Sequence, residues 1–335
     1  MKKILIINTG GTFSSVKSEK GLAPGLSSQE LLSEMRLVAG NIELEMENLF
    51  FVDSANIFPE DWKTLAERIG KAVYQYQGIV VIHGTDTMAY TASMLTFMLQ
   101  NVPIPVVITG SQLSISHPVA DAMENCRCAV HMAASGYAGV FVAFNRKVML
   151  GVRASKVRTM SFDAFESINY PNVAEISSLG LCVHREYIPQ KKGIFEVRTD
   201  YSDKVFILKV YPGIDPGILS MLAEKGYRGI YIEAFGLGGL PFLKNDFVAA
   251  AEQAVKDGMV LLVGSQCRYE GSNLSVYETG LRALGGGVLQ AYDMTAEAAL
   301  TKLMWVLGQT GQTQAVREYF SVDLAHEVQI PGNYH

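Results

Sequence analysis

Short runs of apolar residues alternate along the chain with longer stretches of helical period, the pattern of an α/β protein built on mostly parallel sheets. The expected strands are Lys3–Ile7, Ile79–Ile82, Val106–Ile108 and Val140–Phe144, then Val205–Val210, Gly229–Glu233, Met259–Val263 and Val288–Ala291. Several are apolar at consecutive positions, as strands covered on both faces must be. Between the first two, Trp62, Leu65, Ile69 and Val73 recur at helical spacing behind Pro59. That spacing predicts a helix with proline in its first turn and Trp62 in the core. Ser27-Ser28-Gln29-Glu30, ahead of Leu31-Leu32, reads as a capping box opening an earlier helix. Leu300, Leu303, Met304 and Leu307, after Asp293-Met294-Thr295, form the packing stripe of a late helix.

The alternation breaks between about Tyr187 and Lys204 into a polar, turn-rich stretch containing Pro189, Lys191-Lys192-Gly193 and Asp200-Tyr201-Ser202-Asp203. It reads as a linker. The expected organisation is a larger N-terminal α/β domain over 1–187, a linker over 188–204 and a smaller Rossmann-like α/β domain over 205–335. A length of 335 residues, at about 150 per domain, fits two cores. With 49% hydrophobic and 18% charged residues the chain buries enough apolar surface to exclude disorder.

Lys and Arg total 28 against 33 Asp and Glu, a net charge of −5. No basic surplus exists to neutralise a phosphate backbone or an anionic membrane, so neither nucleic acid nor membrane is expected as a partner. The apolar run after Met1-Lys2-Lys3 stops at Asn8, short of a signal-peptide core, and no run approaches the eighteen or so residues of a membrane span. A cytoplasmic protein is expected. Cys126, Cys128, Cys182 and Cys267 show no metal-site spacing, so free thiols and no metal are expected.

The chemistry collects after three N-terminal strands. Lys3–Ile7 runs into Asn8-Thr9-Gly10-Gly11-Thr12, Ile79–Ile82 into His83-Gly84-Thr85-Asp86-Thr87, and Val106–Ile108 into Thr109-Gly110-Ser111-Gln112. In an open parallel sheet such loops converge beyond the carboxyl ends of the strands, where ligands bind. The first loop lacks the Gly-Lys-Ser/Thr of a phosphate loop and the G-x-G-x-x-G of a dinucleotide fold, which argues against a nucleotide. A Gly-Gly turn brings backbone N–H groups to a substrate and leaves Thr12 facing the crevice, as a nucleophile beside an oxyanion hole requires. A threonine hydroxyl also needs a proton acceptor. His83, directly after an apolar strand, reads as a satisfied core histidine, which leaves a partly buried lysine for that task.

Thr9-Gly10-Gly11-Thr12 followed about seventy residues later by His83-Gly84-Thr85-Asp86-Thr87 resembles the bacterial-type L-asparaginases. The resemblance extends over nearly the whole chain, through Asp53-Ser54, Thr109-Gly110-Ser111-Gln112, Lys156, Phe162-Asp163-Ala164-Phe165, Tyr211-Pro212-Gly213 and Asp293-Met294-Thr295. It is nearest to the type I, cytoplasmic branch. It implies hydrolysis of L-asparagine to L-aspartate and ammonia without a cofactor, by attack of Thr12 on the side-chain amide. Thr85, Asp86 and Lys156 match the family's second triad, in which lysine polarises the threonine. Ser54 matches the residue for the substrate α-carboxylate and Asp86 the one for its α-amino group, while the N–H groups of Gly11 and Thr85 would be the oxyanion donors. A homodimer or homotetramer is also implied, with the C-terminal domain of a neighbouring subunit completing each site.

Four features pull against a simple transfer of roles. Arg153, Lys156 and Arg158 also fit a basic surface cluster, and Asp53-Ser54-Ala55-Asn56 also fits a turn before the Pro59 helix. Leu22 stands where many members carry a tyrosine bonded to the nucleophile, within a stretch from Phe13 to Leu26 expected as a lid. Either Tyr277 or Tyr269 fills that gap, or Lys156 and water carry the proton, or activity is low. Some type I members have an effector site near Ser155 and Cys267, but Glu233 aligns with an arginine expected there, which argues against such activation. The alternatives to an asparaginase are a glutaminase-asparaginase, the ammonia-supplying subunit of a tRNA amidotransferase, and a non-catalytic asparagine sensor. That subunit carries an extra N-terminal domain, whereas this sequence starts at its first expected catalytic strand.

Overall fold

The apolar runs of the first half become adjacent strands of one eight-stranded sheet. In chain order they are β1 (Lys3–Asn8), β2 (Glu43–Asn48), β3 (Gly78–Ile82), β4 (Pro105–Thr109), β5 (Gly139–Phe144), β6 (Lys147–Leu150), β7 (Ala174–Ser177) and β8 (Gly180–Val183). They lie in the order β8-β7-β6-β5-β4-β3-β1-β2. Pairings from β2 to β5 are parallel, and β6, β7 and β8 extend the sheet antiparallel. The computed structural model describes residues 1–330 except 12, 14, 19–20, 25–27 and 191, and only the backbone of 15–18, 21–24 and 28.

Among the described residues four helices flank this sheet: α1 (Ser28–Ala39), α2 (Pro59–Ala72), α3 (Met88–Met98) and α4 (Ala122–Ala133). α2 starts with Pro59 at its first position and buries Trp62, Leu65, Ala66, Ile69 and Ala72. The Asp61 carboxylate accepts from the Phe58 N–H at 2.8 Å and satisfies one free donor of the first turn. α1 begins at Ser28, but the capping pattern expected there rests on Ser27, which lies outside the described residues. α1 packs against α4, and α2 against α3. The sheet is thus covered on both faces.

The connections place a crevice. From β1 the chain steps to β2 on one side, then returns through α2 to β3 on the other side of β1. The loops after β1 and β3 therefore part at a topological switch point, where open α/β sheets bind ligands. α1 and α4 share a face although their crossovers run in opposite directions across the sheet, so the two have opposite hands. Given the strong preference for right-handed crossovers, β4–α4–β5 is the left-handed one. Its consequence is local: the start of α4 comes back under the β4 loop.

The chain divides into two compact units, Met1–Thr199 and Asp200–His335. Within the segment expected as a linker, Glu196–Val197 pairs with Leu99–Gln100 of the first unit. The second unit carries a four-stranded parallel sheet, β9 (Val205–Lys209), β10 (Gly229–Ala234), β11 (Val260–Ser265) and β12 (Leu289–Gln290), in that order. Two expected strands shift: Met259 precedes β11, and the Val288–Ala291 run contracts to two paired residues. Helices α5 (Gly217–Glu224), α6 (Phe247–Lys256) and α7 (Glu278–Gly285) contribute to one apolar cluster with the strands. α8 (Ala296–Gln309) packs on the sheet, and α9 (Thr313–Phe320) packs on α8. The strand order never reverses here, so this sheet offers no switch-point crevice of its own.

α8 also holds a buried charge. Lys302 and Glu327 are fully buried and paired at 2.6 Å. The Glu327 carboxylate also accepts from the N–H groups of Leu324 and Ala325. The Lys302 charge and these donors hold Glu327 well below the usual carboxylate range against the opposing effect of burial.

Candidate active site

The loops after β1 and β3 meet backbone to backbone because glycine leaves room. A Cβ on Gly11, at φ +90°, would lie 2.6 Å from Gly84 Cα, and one on Gly84 would lie 2.5 Å from Ser54 Oγ. No other residue fits either place without displacing the neighbouring loop. Three expected site residues, Gly11, Thr85 and Ser54, are thereby drawn to one point beyond the ends of β1 and β3.

Ser54 begins a short 3₁₀ turn, Ser54–Asn56, capped by the Asp53 carboxylate, which accepts from Ala55 N–H at 2.9 Å. The turn expected as the alternative for this segment is present, yet the Ser54 side chain is not spent on it. Buried at 3% exposure, its Oγ accepts from Asp86 N–H at 3.3 Å, and its carbonyl accepts from Thr87 Oγ1 at 2.8 Å.

Lys156 closes the other side. It ends the short strand Ala154–Lys156, paired antiparallel with Phe165–Ser167. Its Nζ donates to Thr85 Oγ1 at 2.8 Å and to Asp86 Oδ1 at 2.6 Å. The Lys156 side chain is only 17% exposed, while that of Asp86 is 65% exposed. The surface-cluster alternative does not hold: Arg153 is fully buried, and Arg158 is engaged by Asp163 and Glu166. An ammonium donating to a hydroxyl oxygen draws density from it and makes the hydroxyl a stronger donor.

The third loop enters through a residue to which the sequence assigns no role. The Gln112 carboxamide oxygen accepts from Thr85 Oγ1 in a long bond of 3.4 Å, and its Nε2 donates to the carbonyls of Thr159 and Ser161. Asp121 fixes Gln112 by accepting from its N–H and from that of Leu113. Asn125, one turn into α4, donates to Asp121 and to the Gly110 carbonyl. Nothing in spacing marks Asp121 or Asn125; only the left-handed crossover brings them beneath the loop.

His83 is a core residue, at 1% exposure, with Nδ1 on the Gly84 carbonyl and Nε2 on Thr91 Oγ1. Burial pushes its pKa down to about 4. Thr12 lies outside the described residues, as does the side chain of Leu22. Of the expected lid, Phe13 is buried and Ser15–Ser18 pairs with Gly21–Pro24. In the second unit Tyr277 precedes α7 and is 61% exposed. Among the described residues no His, Cys, Asp or Glu group of three forms a metal set. Cys126 and Cys128 are buried thiols, the latter pushed up to about 12 by burial.

Residues 3–188 match the family model described as asparaginase, N-terminal, and residues 204–320 that of the glutaminase/asparaginase C-terminal domain. The chain belongs to the asparaginase family. The L-asparaginase of Thermococcus kodakarensis is 39% identical over 97% of this chain and 99% of its own length. A solved structure of the thermostable L-asparaginase from that organism matches at TM-score 0.91 and 38% identity, covering 98% of this chain and 99% of the other. L-asparaginase I from Vibrio cholerae matches at TM-score 0.88 and 29% identity, with 98% and 99% coverage. A glutamyl-tRNA(Gln) amidotransferase subunit from Pyrococcus abyssi is 38% identical over 98% of this chain and 77% of its own length. As an asparaginase-family protein the chain is an amidohydrolase. No helix among the described residues is long and apolar enough to cross a membrane.

Proposed function

We propose that the protein hydrolyses L-asparagine to L-aspartate and ammonia through an acyl-enzyme on Thr12. The observation that carries this is the Lys156 ammonium, held 2.8 Å from Thr85 Oγ1 and 2.6 Å from Asp86 at the switch-point crevice. Thr12 attacks the side-chain amide carbon, its hydroxyl proton passes to the amide nitrogen, which leaves as ammonia, and water then resolves the ester to the free acid and returns a proton to the Thr12 oxygen. The N–H groups of Gly11 and Thr85 stabilise the oxyanion of each tetrahedral intermediate. The Thr85 hydroxyl, polarised by Lys156, orients the water of the second step.

A free amino acid needs a carboxylate for its ammonium and donors for its carboxylate. Asp86 supplies the first from its exposed side of the crevice. Ser54 supplies a donor, since its oxygen already accepts from Asp86 N–H and its own proton remains to give. Tyr277, from the second unit of a neighbouring copy, is the proposed substitute for the tyrosine missing at Leu22. A cytoplasmic homodimer or homotetramer follows from the same scheme, with sedimentation of the active species as its check.

Purified protein given L-asparagine should release ammonia without tRNA or a partner protein, while T12A and K156M abolish turnover and leave the fold intact. Tight asparagine binding without product would make the chain a sensor and sink the proposal. Similarity to the amidotransferase subunit supports a second reading, in which ammonia release requires a partner. Paired kinetics on asparagine and glutamine fix the substrate, because one methylene is worth only about 1–3 kcal/mol.

A further inference from the structure

Behind the crevice floor three buried polar side chains form a line that the reaction scheme does not use. Trp62 Nε1 lies 2.9 Å from Thr91 Oγ1, Thr91 Oγ1 lies 2.9 Å from His83 Nε2, and His83 Nδ1 lies 2.6 Å from the Gly84 carbonyl oxygen. All three side chains are buried. The donors fix the direction of every proton. An indole N–H only donates, so Thr91 Oγ1 accepts from Trp62; a carbonyl only accepts, so His83 Nδ1 carries hydrogen. Burial keeps the ring neutral near pH 7, with its pKa at about 4, so Nε2 is bare and accepts the Thr91 hydroxyl proton. The line is one unbroken series of donations ending on the Gly84 carbonyl.

We propose that His83 is a positioning residue, which through this relay orients and polarises the Gly84–Thr85 peptide so that the Thr85 N–H is presented to the substrate oxyanion. The inference rests on the role given above to the Thr85 N–H. Gly84 has no side chain to restrict its backbone, and the contact with Ser54 forbids one, so a bond at its carbonyl has to set the peptide plane. Donation to a peptide carbonyl shifts density from nitrogen to oxygen and strengthens the N–H on the other side of the bond. The geometry also explains why an asparaginase site holds a histidine that never titrates in its working range.

The size of the effect follows from two general magnitudes. An oxyanion donor is worth about 10²–10³ in kcat, and a bond in a polarised series is strengthened by about 10–30%. Raising the first to the power of the second gives roughly a two- to eight-fold effect on kcat. Because the donor acts on developing charge, KM for L-asparagine and the affinity for L-aspartate should not move.

The test compares wild type, H83L, H83N and T91V. H83L removes the donor to Gly84 and should lose roughly two- to eight-fold in kcat at constant KM. Asparagine places an amide N–H where Nδ1 stands, so H83N should recover most of that loss. T91V, which keeps the volume of the side chain, removes the proton that fixes the ring and should lower kcat in the same manner. In wild type, nitrogen-15 NMR of the imidazole should show Nδ1 protonated and Nε2 bare, the reverse of the tautomer preferred by free histidine. Wild-type kcat in H83L and T91V, a KM that rises as kcat falls, no difference between H83L and H83N, or an Nε2-protonated ring would overturn the relay. Should H83L not fold, T91V and the NMR tautomer decide alone. Wild-type protein that turns over no asparagine instead overturns the function proposed above, and the tautomer still judges the relay.

Discussion

Acidification from pH 7 to pH 4 loads one side chain in a way that can be measured. His83 has its ordinary pKa of 6.5 in the unfolded chain and about 4 when folded. As pH falls through 6.5 the unfolded chain takes up a proton that the folded chain refuses until about pH 4. The unfolded state therefore binds more protons across that window, and stability falls as pH drops. The gap of about 2.5 pH units, at 1.36 kcal/mol each, amounts to about 3 kcal/mol, fully present above pH 6.5 and lost by pH 4. Because the ring is buried at 1% exposure, solvent screening removes little of it. Urea unfolding of wild type and H83N at stepped pH isolates the term, since every other group titrates in both proteins. Wild type should lose about 3 kcal/mol more than H83N between pH 7 and pH 4. Parallel stability curves would refute both the burial and the neutral ring.

Other outcomes follow from the site and the second core. S54A should raise KM for asparagine about tenfold with a smaller change in kcat, because it removes a ground-state contact with the α-carboxylate; an unchanged KM would remove Ser54 from the substrate. G84A should cost about 1–3 kcal/mol in chemical unfolding, since its Cβ has to displace Ser54. K302M leaves Glu327 buried without its partner and should cost about 3–5 kcal/mol by calorimetry, whereas an exposed lysine would give a near-zero change. Y277F should lower kcat at least tenfold if Tyr277 stands in for the tyrosine missing at Leu22; wild-type kcat in Y277F removes Tyr277, and wild-type kcat in both Y277F and Y269F assigns that proton to Lys156 and water.

What could be read from the chain depended on burial. Ile79–Ile82 and Val106–Ile108 announce themselves because both faces are covered, and their residues are buried throughout. β2, reading Glu-Leu-Glu-Met-Glu-Asn, escapes an apolar criterion because it is an edge strand whose carboxylates face outward. Glu45 meets Lys3 and Tyr76, and Glu47 meets Arg68, charges that also discourage pairing with another chain. β7 and β8 are short and partly exposed, so neither period nor composition marks them. The meeting of Lys156 with Thr85 and Asp86 was legible only through resemblance to a family, since 70 residues separate them. Gln112 lay inside a motif already picked out, but its role comes from Asp121, just ahead of α4, and from Asn125 in its first turn, and the hand of a crossover leaves no trace in periodicity.

The contact of Gly11 with Gly84 and of Gly84 with Ser54 has a consequence for how such a catalyst can change. Three loops touch with not one methyl group to spare, so the floor of the crevice is a fixed gauge rather than an adjustable wall. Selection for a longer or shorter side-chain amide cannot proceed by small steps there, since each added carbon would push apart the groups that hold the reacting carbonyl. Discrimination has to be tuned by residues that border the crevice without supporting it. A mutational library aimed at altered substrate choice should therefore leave positions 11, 54 and 84 untouched, keep Gln112 on Thr85, and spend its diversity on the exposed 159–161 segment, which meets Gln112 through backbone carbonyls that survive a change of side chain.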